Sequence, residues 1–162
     1  MIELLKTEDI IKIKKDEDLD LIIKSNEKNK LININEKLIL KNIKKINIIK
    51  NNDNIIILDS SFGENTRQLI EKKIPNIIFN SEFHKNKDYT YQSNSGMDYV
   101  IFKLMKEKNI KYGFSWKKIE KNIIKKNLKI IPRIKQNYNF CLKYKIPIVV
   151  DNKKMENLLL SL

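Results

Sequence analysis

The residues able to do chemistry cluster where apolar runs give way to polar ones. Asp59, Ser60 and Ser61 follow NIIIL (54–58), and Ser81 and Glu82 lie just past NIIF (76–79). Ser115 and Trp116 follow IKYGF (110–114), and Asp151 and Asn152 follow IPIVV (146–150). In parallel α/β folds, ligands meet the loops at the carboxyl ends of strands. Asp59, Glu82 and Asp151 could therefore share one face and hold Mg²⁺. Acids at strand ends also cap the helices that follow, and both readings stand. Other catalytic equipment is sparse. His84 is the one histidine, too few for a His-rich dinuclear site. In its loop beside Lys85 and Lys87 it reads more simply as a solvated or RNA-contacting imidazole than as a base. Neither GxSxG, GxxxxGK[ST], GxGxxG nor CxxC occurs. The single cysteine, Cys141, excludes an internal disulfide and a thiolate-built zinc site, and its spacing is that of a small core residue.

Charge points elsewhere. Lys and Arg total 33 against 20 Asp and Glu, a formal +13. Residues 1–80 hold 15 basic and 13 acidic side chains, whereas 81–162 hold 18 and 7. A field of that sign attracts phosphate backbones; the plainer alternative is a solvated Lys-rich surface. The densest run lies between Trp116 and Tyr138: Lys117, Lys118, Lys121, Lys125, Lys126, Lys129, Arg133 and Lys135. A polar loop of about 15 residues, 80–94, adds Lys85 and Lys87 for phosphates and Tyr89 and Tyr91 for base stacking, with Trp116 a third stacking candidate. A disordered insertion explains that loop equally well.

The elements that must position these groups alternate in type. Strands are expected at 2–5, 19–24, 30–34, 54–58, 76–79, 110–114 and 146–150. Helices are expected at 7–15, 36–50, 64–73, 95–108, from Pro132 to the last strand, and at 152–161. In the helix after Pro132, one face carries Ile134, Tyr138, Cys141 and Leu142; in 95–108 the stripe is Met97, Val100, Ile101, Leu104 and Met105. Seven mostly parallel strands with short connections in 162 residues imply an α/β fold, a shortened or incomplete TIM-like (β/α) barrel, since a complete one needs about 200 residues or more. One domain over 1–162 is the expectation. MIELLKTEDII has acids where a signal peptide needs basic and then apolar residues, and no run reaches the roughly 20 apolar residues of a membrane span, so a cytoplasmic protein is expected.

SGMDYVIFKLMKEKNIKYGFS (95–115), followed by IPRIKQNYNFCLKYKIPIVVD (131–151), resembles the protein component 3 family of archaeal and eukaryotic ribonuclease P, in a shortened form. Ser95, Gly96, Asp98, the strand 110–114, Lys135, Asn137 and Pro147 occupy matching places, as do Arg67, Glu71 and Glu82 upstream. The family's Asn-Arg pair is split here as Asn65, Thr66, Arg67; Ser81 stands for its Pro, Tyr99 for its His and Asp151 for its Ser or Thr. The resemblance implies a TIM-like subunit of the ribonucleoprotein endonuclease that removes 5′ leaders from precursor tRNA. It implies that the RNA holds the active site and its Mg²⁺, that the isolated chain is inactive, and that the protein itself carries no cofactor. The implied partners are the ribonuclease P RNA, precursor tRNA and other protein subunits, especially a small ferredoxin-like one; Arg67 joins the lysines above as an RNA contact. Two rivals remain: a metal-dependent phosphoesterase of the polymerase and histidinol phosphatase type, and a general RNA-binding module.

Overall fold

Strand formation follows the β-branched runs. In the computed structural model, β1 (Ile2–Leu4), β2 (Ile10–Ile13), β3 (Leu31–Asn35), β4 (Ile55–Asp59), β5 (Ile77–Phe79), β6 (Lys111–Phe114) and β7 (Ile148–Val150) form one parallel sheet in the order β1-β7-β6-β5-β4-β3-β2. The structure describes all residues except 62–64, 85, 86, 89, 91, 92 and 96, and the side chain of Thr7. The helices are α1 (Asp16–Ser25), α2 (Glu36–Lys41), α3 (Ile43–Lys50), α4 (Thr66–Glu71), α5 (Tyr99–Lys108), α6 (Trp116–Ile124), α7 (Ile130–Tyr144) and α8 (Lys153–Leu160), with 3-10 turns at Thr7–Asp9 and Ser81–Phe83. Among the described residues no helix is long and apolar enough to cross a membrane.

The strand order forces curvature. β1 and β2 are consecutive in the chain yet occupy the two edges of the sheet. Seven flat strands would put those edges about 29 Å apart at ~4.8 Å per strand. The six steps from Leu4 to Ile10 span at most about 22 Å. The sheet therefore curls into a half-barrel with its seam between β1 and β2, the shortened α/β TIM-like barrel that the alternation of elements implied.

Alternation along each strand then makes two cores. Ile32, Ile34, Ile56, Leu58, Ile78, Tyr112, Phe114, Ile148 and Val150 face the helices and belong to the large core. The opposite residues, Ile57, Ile77, Phe79 and Val149, form a small cluster on the concave side, flanked by Leu5, Ile10 and Leu31. Toward β2–β4 the concave face turns polar, with Lys12, Asn33, Asn35 and Asp59 in the alternate positions. Gly113 pairs in register with Phe79, and a methyl group on Gly113 would collide with the Phe79 ring. The missing side chain is what lets that ring fill the concave centre.

Four expectations change. The helix over 7–15 and the strand over 19–24 are exchanged: Ile10–Ile13 pair with Leu31–Ile34 as β2, and 16–25 is α1. Asp16, Glu17 and Asp18 lie in its first turn, where carboxylates oppose the helix dipole, and Leu19 and Ile22 bury one stripe. The Asp18 carboxylate accepts from the Lys14 and Lys15 backbone N–H groups (2.9 and 3.2 Å), which hold its pKa below the usual range. The helix over 36–50 is two helices, broken at Asn42, whose amide donates to Leu38 O (3.1 Å) and Asp16 Oδ1 (2.8 Å). The basic stretch after Trp116 is itself the helix α6. Of the apolar stripes, Leu142 and Val100 face outward, and Phe102 takes the buried place.

Gly113→Ala is expected to destabilise the fold by about 1–3 kcal/mol, the range for overpacking. In a Phe79→Leu background most of that penalty should vanish, a coupling read from denaturant midpoints in a double-mutant cycle.

Candidate nucleic-acid interface

Glu82, Ser95 and Asn137, three of the residues that carry the resemblance, meet in a buried polar network. Glu82 and Ser81 lie on the 3-10 turn after β5, Tyr112 on β6, Ser95 ahead of α5 and Asn137 on α7. All five side chains are at most 1% exposed. The Asn137 amide donates to Tyr112 OH (2.9 Å), Ser81 Oγ (3.1 Å) and Glu82 Oε1 (3.3 Å), while its Oδ1 accepts from Ser95 Oγ (2.8 Å). The Tyr112 hydroxyl donates to Glu82 Oε1 and also meets Ser81 Oγ. Burial raises the Glu82 carboxyl to about 6, against the lowering effect of these hydrogen bonds. Burial and the Glu82 charge push the Tyr112 phenol and the Cys141 thiol well above their ordinary values. Each member is satisfied by the others, so the network specifies how α7 docks on the sheet.

One turn earlier on α7, Arg133 is only 7% exposed. Its guanidinium donates to Asp88 Oδ1 (2.9 Å), Glu82 O (3.1 Å) and His84 O (2.5 Å). Asp88 also accepts from the Asn94 backbone N–H (2.7 Å). Burial alone would raise its carboxyl, but that bond and Arg133 hold it below the usual range. Arg133 therefore fastens the segment that carries Glu82, His84 and Asp88 against α7.

Between that segment and the α6–α7 corner runs a groove of about 700 Å³. Its cations are Lys87, Lys118, Lys121, Lys125, Lys129 and Arg133. Lys118, Lys121 and Lys125 recur at helical spacing, successive side chains being ~5–6 Å apart on one stripe. Only Ile119 of α6 is buried, so the helix lies on the core by one contact line and presents its lysines outward. Lys118 is the exception among them: its ammonium bridges Asp59 Oδ2 (3.0 Å) and Ser61 Oγ (3.0 Å) and sits 5.6 Å from the Phe83 ring centre. Burial would raise the Asp59 carboxyl, but the Lys118 charge and the Ser61 and Lys118 hydrogen bonds outweigh it and hold the carboxyl below the usual range.

A second cleft, about 860 Å³, is the mouth of the half-barrel at the carboxyl ends of its strands. It shares Asp59, Lys118 and Lys121 with the groove. Of the three strand-end carboxylates, Asp59 and Asp151 line this cleft and Glu82 does not. Asp59 holds Lys118, Glu82 is sealed in the network, and Asp151 accepts from the Trp116 backbone N–H (2.7 Å) and Ser115 Oγ (2.7 Å), capping α6. Among the described residues no group of three or more His, Cys, Asp and Glu side chains could hold a metal ion.

Of the basic and stacking residues singled out by sequence, Lys87, Lys118, Lys121, Lys125, Lys129 and Arg133 line the groove, and Trp116, Lys117, Lys118 and Lys121 line the mouth. Arg67 lies on α4 in an exposed ion pair with Glu71 (2.9 Å). Lys126, in the turn after α6, and Lys135, on α7, are exposed and line neither cleft. Lys85, Tyr89 and Tyr91 lie outside the described residues. Sequence reasoning missed Lys12, Lys14, Asn33, Asn35 and Asn80 at the mouth. Lys12 and Lys14 alternate with Ile11 and Ile13, a pattern that signals a two-faced strand once 10–13 is read as one.

No protein-family model matches the chain, and no curated protein matches it in sequence. Its fold is similar to that of a chain in a solved structure, the cryo-EM structure of archaeal ribonuclease P with mature tRNA. The TM-score is 0.61 at 15% identity, over 93% of this chain and 72% of that one. At that identity the likeness speaks for the fold.

The Glu82 carboxyl titrates from 4.5 unfolded to about 6 folded, so the folded chain binds its proton more tightly. Its stabilising contribution is complete below the unfolded value and is lost as pH rises through the folded one. Between those two values the wild type should lose on the order of 2 kcal/mol relative to Glu82→Gln. Urea midpoints of both proteins across that range test this, and a pH-independent difference contradicts it.

Proposed function

We propose that this chain is a noncatalytic protein subunit of a ribonuclease P, of the component 3 type, that binds and stabilises the catalytic RNA during removal of 5′ leaders from precursor tRNA. The observation that carries the reading is the fold likeness to a chain of an archaeal ribonuclease P structure over 93% of the length. A lysine-lined groove on a chain of formal charge +13 supports it, because such a surface gains affinity for RNA by releasing condensed counterions. So does the meeting of Glu82, Ser95 and Asn137, all positions of the family resemblance, in one buried network. In this reading Lys87, Lys121, Lys125 and Lys129 meet RNA phosphates, and Arg133 acts by holding the segment of Glu82, His84 and Asp88 that forms one wall. Mg²⁺ belongs to the RNA active site. The partners are the ribonuclease P RNA, precursor tRNA and further protein subunits, including a small ferredoxin-like one, in the cytoplasm.

The phosphoesterase reading finds no support in a specific observation, since Asp59, Glu82 and Asp151 are each engaged in holding the fold. A general RNA-binding module would use the same groove, and the reconstitution below separates it.

The purified chain is expected to leave precursor tRNA intact, and to raise cleavage at low Mg²⁺ when added to the catalytic RNA with its other protein subunits. A complete reconstitution without enhancement sinks the proposal. Lys121→Gln and Lys125→Gln, both exposed, should weaken RNA binding uniformly across sequences, and each should lower the slope of log K against log salt by about 0.7–1. Unchanged slopes would place the RNA elsewhere on the surface.

A further inference from the structure

The mouth of the half-barrel has polar atoms that the protein itself does not satisfy. Asn80, 5% exposed, follows β5 in a left-handed conformation (φ 70°) and lines this cleft; among the described residues its Oδ1 has no hydrogen-bond partner. Trp116 lines the same cleft, and its indole Nε1–H is buried and likewise unpartnered. A buried acceptor or donor left unmade costs about 1–3 kcal/mol. Cations rim the opening on both sides, Lys12 and Lys14 from β2 and the segment after it, Lys117 and Lys121 from α6. Among the described residues none of these four is in an ion pair. At about 860 Å³ the cleft has the size of a small-molecule site.

The donor and acceptor pattern selects the ligand. Lysines ask for an anion, but the unprotonated oxygens of a phosphate group only accept, whereas Asn80 Oδ1 needs a donor. A nucleobase edge supplies both missing partners, an N–H for Asn80 and a ring nitrogen or carbonyl for the Trp116 indole. We propose that the barrel mouth binds a nucleoside monophosphate unit, with its phosphate among Lys12, Lys14, Lys117 and Lys121 and its base between Asn80 Oδ1 and Trp116 Nε1. The unit is either a free nucleotide or the end of an RNA strand. The cleft shares Lys118 and Lys121 with the basic groove, so a strand lying along the groove would deliver its terminal residue into the mouth. The site does not depend on the ribonuclease P reading, because a free nucleotide would fill it as well.

Trp116 is the only tryptophan, so its fluorescence reports directly on the mouth. The full chain is titrated with each of the four ribonucleoside 5′-monophosphates, with ribose 5-phosphate, with inorganic phosphate and with single-stranded tetraribonucleotides. At least one nucleotide is expected to change the Trp116 emission saturably and to bind at least about tenfold more tightly than ribose 5-phosphate or phosphate, the worth of one or two satisfied hydrogen bonds. A tetranucleotide binding more tightly than the free nucleotide identifies an RNA end as the source; the reverse identifies a free nucleotide. Asn80→Gly keeps the left-handed backbone and removes the amide, and should weaken nucleotide binding about tenfold while leaving phosphate binding unchanged. Asn33→Phe, which fills the cleft without altering its charge, should abolish the fluorescence response, and thermal melts check that both variants fold. Equal binding of nucleotide and inorganic phosphate, or equal nucleotide binding by wild type and both folded variants, overturns the proposal whatever the reconstitution shows.

Discussion

The shape of this molecule depends on the shortness of the link between its first two strands. Residues 5–9 cannot span the width of a flat seven-stranded sheet, yet β1 and β2 sit at its opposite edges. Curling the sheet brings the edges within reach and creates a concave face. That face is too narrow for large side chains everywhere, and the pairing of Phe79 with Gly113 is the local answer: one ring occupies the space that two side chains would contest. Where Phe79, Ile57, Ile77 and Val149 end, Asn33, Asn35 and Asp59 begin, so the same curvature yields a dry centre and a polar mouth.

Polar residues do on the convex side what apolar ones do elsewhere. Docking of α7 combines Ile130, Ile134 and Cys141, at helical spacing in the large core, with Asn137 in hydrogen bonds to three elements. Apolar contact alone tolerates a helix sliding or rotating, whereas a fully satisfied amide does not. Arg133 extends the constraint to Glu82, His84 and Asp88, and in doing so shapes one wall of the basic groove. The groove's geometry is therefore set by buried hydrogen bonds, while its charge is carried by lysines on the outer stripe of α6 and at the α6–α7 corner. These two jobs fall to different residues, which is why exposed lysines can be exchanged without unfolding the site.

All three strand-end carboxylates are engaged within the fold, Asp59 in ion pairing, Glu82 in core hydrogen bonding and Asp151 in capping. Among the described residues the mouth's unpaired groups are ammonium ions, an amide oxygen, an indole N–H and the exposed Glu120 carboxylate.

Much of the architecture was legible in residue order. Apolar runs at 54–58, 76–79, 110–114 and 146–150 are buried on both faces of a parallel sheet, so each reads as a strand from its own composition, and the excess of lysine after Trp116 needs no partner to be seen. Residues 7–25 were not legible, because IIKI and LDLIIK each fit both periods over so short a span; pairing of Ile10–Ile13 with β3, and burial of Leu19 and Ile22 together, decided between them. The network of Ser81, Glu82, Ser95, Tyr112 and Asn137 joins residues up to 56 positions apart, and a polar side chain on a helix looks solvated until its partners are known. Local pattern thus determined strand identity, charge and the poverty of catalytic groups. Only the tertiary structure determined which polar groups are satisfied and which, at the barrel mouth, are not, because satisfaction is a property of atoms brought together by the fold.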